Sequence, residues 1–263
     1  MNRRTLALTL SVLSLAAAAG FAQSPAVIKV GATPVPHAEL LALVADDLAA
    51  AGYRLEVIEF TDYVTPNVAL AEGQLDANFF QHAPYLESFA SSRGLSLEVA
   101  GAVHIEPLGV YSRKYRSLDA LPRGATIAIP NDPTNEGRAL ILLAARGLIT
   151  LKPGAGLEAT LRDIATNPKK LRFRELDAAQ LPRTLADVDA SVINGNYALP
   201  AGLSPVKDAI AIEGPGSPYA NVVAVRAGDA DDPRIVALVA ALRSPKVRDY
   251  ILSAYGGGVV PAF

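Results

Sequence analysis

The chain has 263 residues, enough for one large α/β domain or two lobes of ordinary size. Apolar residues make up 51% and charged residues 19%, the balance of a protein with a packed core. The net charge of -2 speaks against nucleic acid, whose phosphates need a basic surface, and the absence of cysteine excludes disulfides, thiolate catalysis and cysteine-ligated zinc.

Residues 1–22 read as an export signal. Arg3 and Arg4 precede the apolar run TLALTLSVLSLAAAAG, and small residues at Gly20 and Ala22 set a cleavage site after Ala22. An uncleaved anchor is the alternative. Beyond it, short apolar strands alternate with helical periodicity, which predicts an α/β fold with largely parallel sheets. VIKVGA is a strand. HAELLALVADDLAAAG is a helix with Leu40, Leu41, Val44 and Leu48 on one face and Gly52 as its stop. RLEVIEF and DANFF are strands around the short helix PNVALAEG. PYLESFASSRG is a helix and LSLEVAGAV the next strand. Residues 107–123 read as a crossing into a second lobe. There ATIAIP, LRFREL and ASVIN are strands and TNEGRALILLAARG a helix. NVVAVRA is a strand that carries the chain back, and the last helical stretch is interrupted at Pro245. The expected division is residues 23–107 with 225–263 as the first lobe and 108–224 as the second. Two lobes, each a mostly parallel sheet flanked by helices, joined by two hinge crossings, form a hinged binding protein that closes on its ligand.

Ligands of open α/β sheets bind beyond the carboxyl ends of the strands. All three histidines fall there: His37, His82 and His104. So do Tyr63, Phe80, Tyr85, Glu106, Arg138 and Asn194, while Asn221 opens a strand at the same edge. In NDPTNEGR, Asp132 or Thr134 caps a helix with Pro133 at its start, and Arg138 projects from the early turns with Gly137 leaving room beside it. A guanidinium next to a helix N-terminus suits a carboxylate; a surface ion pair is the plainer alternative. Asn194 and Asn221 offer donors and acceptors for an ammonium and a carboxylate, and either alone is also an ordinary turn residue. Asn196 reads only as a turn. Phe79 is assigned to the core, and Phe80, His82, Tyr85 and Tyr63 to an apolar slot fitted to a thioether or aliphatic chain. A metal site would need the three histidines to converge with Glu106, although no two have ligand spacing. No nucleophile elbow declares itself.

These stretches also resemble a family. VGATPVPHAELL, EFTDYVTPNVALAEGQLDANFFQHAPYL, IPNDPTNEGRALILL, DASVINGNYAL and SPYANVVAVR closely resemble the methionine-binding lipoproteins of ABC importers, over about Ile28 to the C-terminus. The resemblance implies the two-lobed periplasmic-binding-protein fold and no catalysis or cofactor. It implies capture of L-methionine, with the D form left open, and delivery by a monomer to a membrane permease with its ATPase. It assigns Tyr63, Phe80, His82 and Tyr85 to the side-chain pocket, Arg138 to the carboxylate clamp, and Asn194 and Asn221 to the amine and carboxylate, with His104 beside them. Members of that family carry a lipidated cysteine at the mature N-terminus, and this chain has none. The expected location is therefore the periplasm or the outer face of the cell membrane, either soluble or held by an uncleaved signal. Other readings are another amino acid or short peptide in the same fold, a histidine-ligated metal-binding protein, and a periplasmic enzyme acting on an amino acid.

Overall fold

The computed structural model describes residues 25–214 and 216–263, so the expected signal lies outside the described residues. β1 (Ala26–Ala32) buries Ile28 and Val30 on one side of the pleat. A proline-containing turn leads into α1 (Glu39–Ala50), where Leu40, Leu41, Val44 and Leu48 are buried. Their spacing of three and four places them on one stripe. Burial is worth roughly 1.5–3 kcal/mol per side chain, so packing rather than intrinsic propensity holds this helix. β2 (Tyr53–Glu59), α2 (Thr65–Ala71), β3 (Ala77–His82), α3 (Ala83–Arg93) and β4 (Leu97–Ile105) follow.

The chain then crosses over. β5 (Gly109–Tyr111), β6 (Thr126–Pro130), α4 (Pro133–Ala145), the small ribbon of β7 (Thr150–Leu151) and β8 (Ile164–Thr166), β9 (Arg172–Leu176), β10 (Ala190–Ile193), α5 (Gly195–Ala198) and β11 (Ala209–Ile212) build the second lobe. β12 (Ala220–Arg226), α6 (Pro233–Leu242), α7 (Pro245–Ala254) and β13 (Val260–Pro261) return to the first.

The sheets are mixed rather than mostly parallel. The first has the order β13-β4-β12-β3-β1-β2, and the second β11-β5-β10-β6-β9. β1 is parallel to β2 and β3, but β12 is antiparallel to both β3 and β4. The reason is the crossing: the chain re-enters the first lobe at the edge where β3 and β4 end, so β12 must run against them. In the second sheet β6 is parallel to β9 and β10, whereas β5 runs against β10 and β11. β12 lies wholly in the first sheet, so the return crossing precedes Ala220 and the boundary expected at 224/225 falls inside a strand. β5 was also hidden within the segment read as a crossing.

Each lobe has its own core. β1, α1, α6 and α7 meet in the first through residues such as Ile28, Leu41, Phe79, Leu238 and Ile251. Phe79 is buried there, as expected. Leu108, Val110, Ile127, Leu140 and Val192 form the second. The break at Pro245 makes two helices: Ser244 Oγ accepts from the Val247 N–H, and Pro245 occupies the first helical position, where no N–H is needed.

Candidate ligand-binding site

The ends of β3, β4, β6 and β10 and the start of β12 all face the gap between the lobes, and a cavity of about 320 Å³ lies there. The first lobe supplies Tyr63, Phe80, Gln81, His82, Tyr85 and Asn221. The second supplies Asn135, Arg138, Asn194, Gly195 and Asn196, and Glu106 enters from the crossing. Seven of the eight residues picked from the sequence as ligand-binding therefore line one cavity. His104 does not: it is fully buried behind Glu106, to which its Nε2 donates at 2.9 Å.

The aromatic wall is built by β3, α3 and the loop before α2. Tyr63 packs on Phe80 and Tyr85 with ring centroids 5.9 and 5.6 Å apart, in tilted and edge-on arrangements that suit ring quadrupoles. Tyr85 Oη donates to the Tyr63 carbonyl at 2.9 Å. His82 caps α3: its Nδ1 accepts from the Tyr85 N–H at 3.1 Å, so the proton sits on Nε2, which donates to Asn135 Oδ1 across the cleft. Two more bonds join the lobes. Tyr63 Oη donates to Asn196 Oδ1 at 2.6 Å, and Tyr197 Oη to the Thr61 carbonyl at 3.0 Å.

α4 begins as expected, with Asp132 as its cap and Pro133 in the first turn; Asp132 Oδ1 accepts from the Asn135 N–H at 3.0 Å. Arg138 is held tightly. Its Nε and Nη2 donate to the two Glu213 oxygens at 3.0 and 2.5 Å, Nη2 also donates to the Glu106 carbonyl at 2.8 Å, and the guanidinium lies 4.3 Å from the Tyr219 ring centroid. The Nε/Nη2 edge is thus occupied within the protein, and Nη1 is the nitrogen without a hydrogen bond among the described residues. Gly137 has a different task from the one expected. A Cβ there would sit 2.1 Å from the Leu157 carbonyl oxygen, so glycine admits the 157–159 backbone rather than making room for Arg138.

The three histidines and Glu106 divide into two groups. His37 Nε2 faces Asn221 Oδ1 at 3.1 Å and Glu106 Oε1 at 3.4 Å, while Nδ1 faces Thr33 Oγ1 at 2.8 Å. Two acceptors at Nε2 place the proton there. Burial lowers the pKa of His37 to about 4 and those of His82 and His104 to about 3, with Arg138 adding to the effect at His82. All three are neutral at pH 7. Burial pushes the Glu106 carboxyl up, opposed by His37 and Arg138. The donor atoms of His37, His104 and Glu106 lie within 4.8 Å of one another, but His82 is turned to Asn135, so the four-residue metal set does not assemble. The Nε2 atoms of His37 and His104 are engaged with Asn221 and Glu106. The set instead supports Asn221, whose Oδ1 is taken by His37.

Reasoning from sequence left five wall residues out of the ligand-binding set: Gln81, Glu106, Asn135, Gly195 and Asn196. Asn135 sits at the third position of α4, where its N–H is capped by Asp132. Glu106 entered only as a metal ligand. Asn196, read as a turn, is buried, and its Oδ1 receives Tyr63 Oη. Gly195 leaves room for Glu106, since a Cβ there would lie 2.7 Å from Oε2. Two buried atoms on this wall have no partner among the described residues: the acceptor Asn194 Oδ1 and the donor Asn196 Nδ2. Buried polar atoms are rarely left unpaired without a ligand or water to meet them.

The model of the NlpA lipoprotein family matches residues 28–263. The chain belongs to this family. Among the relatives with solved structures is a nutrient-binding protein from Burkholderia cenocepacia bound to methionine. It is 54% identical, with a TM-score of 0.87 over 90% of this chain and all of that one. The methionine-binding lipoprotein MetQ of Bacillus subtilis is 44% identical over 89% of this chain and 87% of its own. The D-methionine-binding lipoprotein MetQ of Escherichia coli is 43% identical over 90% and 89%. Membership in this extracytoplasmic family agrees with the two-lobed fold. No helix among the described residues is long and apolar enough to cross a membrane.

Proposed function

We propose that this chain captures methionine between its lobes and delivers it to an ABC importer, acting as a binding protein rather than an enzyme. The observation that carries this reading is the polarity of what the cavity leaves open. Arg138 Nη1 and the Nδ2 groups of Asn196 and Asn221 are donors, which suits a carboxylate. Asn194 Oδ1 and the Glu106 carboxylate are acceptors, which suits an ammonium. Phe80, Tyr63 and Tyr85 with neutral His82 then meet the side chain, and sulfur–aromatic contacts contribute about 0.3–1.5 kcal/mol each. His104 acts from behind, by holding Glu106. The cross-lobe bonds of Tyr63, Tyr197 and His82 stabilise the closed form, which the ligand selects. The methionine bound by the Burkholderia relative supports the ligand, and the names of the MetQ relatives support the transport setting.

The partners in this reading are a membrane permease and its ATPase, and the binding protein works as a monomer on the outer side of the cytoplasmic membrane. Titration calorimetry of the purified chain with L- and D-methionine, leucine and glutamine tests the ligand, together with mass spectrometry of whatever co-purifies. Methionine should bind at least tenfold tighter than leucine, a preference of about 1.4 kcal/mol. Equal binding of all four would overturn the reading. Methionine-dependent stimulation of a reconstituted importer tests the partner.

A further inference from the structure

The strongest unexplained feature of the cavity wall is that one of its amides faces inward with a buried, unpartnered oxygen. Asn194 is only 5% exposed, and its Oδ1 has no partner among the described residues. An asparagine amide can rotate by half a turn to present either oxygen or nitrogen. Something must fix which.

The hydrogen bonds trace that choice to Asp132. Its carboxylate is an acceptor and receives both the Asn135 N–H and the Asn135 side-chain amide, whose Nδ2 lies 2.9 Å from Oδ1 and 3.1 Å from Oδ2. Thr134 Oγ1 donates to Oδ1 as well, at 3.3 Å. With its nitrogen held by Asp132, Asn135 can only turn its oxygen the other way. There Oδ1 accepts from Asn194 Nδ2 at 2.8 Å and from His82 Nε2 at 3.1 Å. The His82 bond has a fixed sense too, because Nδ1 is already the acceptor for the Tyr85 N–H. Rotating Asn194 would set its oxygen against Asn135 Oδ1, lose a buried hydrogen bond and place two acceptors together. The polarity of a helix cap is thereby passed through one amide to the next, and it ends as an acceptor aimed into the cavity.

We propose that Asn135 is a positioning residue that locks Asn194 with its oxygen toward the cavity and so makes the site demand an ammonium group on its ligand. This rests on the reading of the site as one for methionine and deepens it: the ligand class is an amino acid with a free, protonated amine. Asn135 acts through Asn194, and Glu106 is a second acceptor in the same cavity, so the loss on removing Asn135 is partial.

The test compares L-methionine with 3-(methylthio)propionate, which keeps the thioether and carboxylate but lacks the amine. Both are titrated calorimetrically into the full chain and into the Asn135→Ala, Asn194→Ala and doubly substituted variants. Wild type should prefer methionine strongly. Asn135→Ala also removes the cross-lobe bond from His82, which weakens both ligands alike; beyond that shared loss it should weaken methionine about tenfold more than the des-amino ligand, the lower end for a hydrogen bond to a charged group. Relative to Asn194→Ala, the double variant should show only that shared loss, weakening both ligands by the same factor, because the two residues act in series on the amine. Equal weakening of both ligands by Asn135→Ala, or a further loss specific to methionine in the double variant, would overturn the inference and leave Asn135 a structural cap partner. If Asn135→Ala does not fold, Asp132→Asn carries the same comparison: it keeps a residue able to cap α4 but no longer dictates the orientation of Asn135. An unchanged preference in that variant would equally overturn the proposal. Failure of wild type to bind methionine at all is a distinct result, and it overturns the ligand reading and this inference together.

Discussion

Replacing Arg138 by alanine removes a guanidinium that is 3% exposed and engaged on three sides. Glu213, 14% exposed, would keep its charge with no counter-ion, the Glu106 carbonyl would lose its donor, and the Tyr219 face would be uncovered. Breaking a largely buried ion pair from one side costs about 3–5 kcal/mol, mostly because the surviving charge is stranded. For a chain of this size that corresponds to a fall in Tm of roughly 6–20 °C. Adding Glu213→Gln removes the stranded charge and should return about half of that loss. It should return none of the methionine affinity, because the donor facing the cavity is still missing. Differential scanning calorimetry of the ligand-free single and double variants, with titration calorimetry alongside, reads both quantities. A single variant that melts within about 2 °C of wild type would refute the argument that Arg138 is braced by Glu213. Restored methionine binding in the double variant would refute its role toward the carboxylate.

Tyr63→Phe deletes only the bond to Asn196 Oδ1 across the cleft. It should weaken methionine by about 2–12-fold, one neutral hydrogen bond, while ligand-free small-angle scattering shifts toward the open form; unchanged affinity would show that this bond does not stabilise closure. Gly137→Ala drives a Cβ into the Leu157 carbonyl, and the backbone can relieve that clash only by moving. A loss of about 1–3 kcal/mol in denaturant unfolding is expected, and an unchanged midpoint would contradict the packing described. Acid should destabilise the fold. His37, His82 and His104 have folded pKa values of about 4, 3 and 3 against 6.5 unfolded, so the unfolded chain binds more protons between pH 6.5 and 4 and stability is lost as pH falls through that window. Glu106 and Asp132, raised by burial, oppose this, so the slope stays below the three-proton limit of about 4 kcal/mol per pH unit. Thermal melts that are flat or rise from pH 6.5 to 4.5 would refute it.

Local chemistry was legible before any coordinates. The α1 stripe, the Asp132–Pro133 start of α4, the stop at Gly52 and the split at Pro245 each follow from residues that are neighbours in sequence, where propensity and capping act. The strand-end rule likewise gathered Tyr63, Phe80, His82, Tyr85, Arg138, Asn194 and Asn221 at one edge, because the alternation of strands and helices already determines which ends face the cleft. What only the tertiary structure decided is pairing between distant residues. The insertion of β12 between β3 and β4 made the sheet mixed and drew Asn221 level with both His82 and His104. Glu213, remote in sequence, took one edge of the Arg138 guanidinium. His104 passed behind the wall, and Asn135 and Asn196 entered it, because the groups that meet them there, His82 and Asn194 for Asn135 and Tyr63 for Asn196, are tens of residues away. A side chain's type is written in the sequence. Which of its atoms is left unpaired in the cavity is fixed only when every competing donor and acceptor has been brought into place.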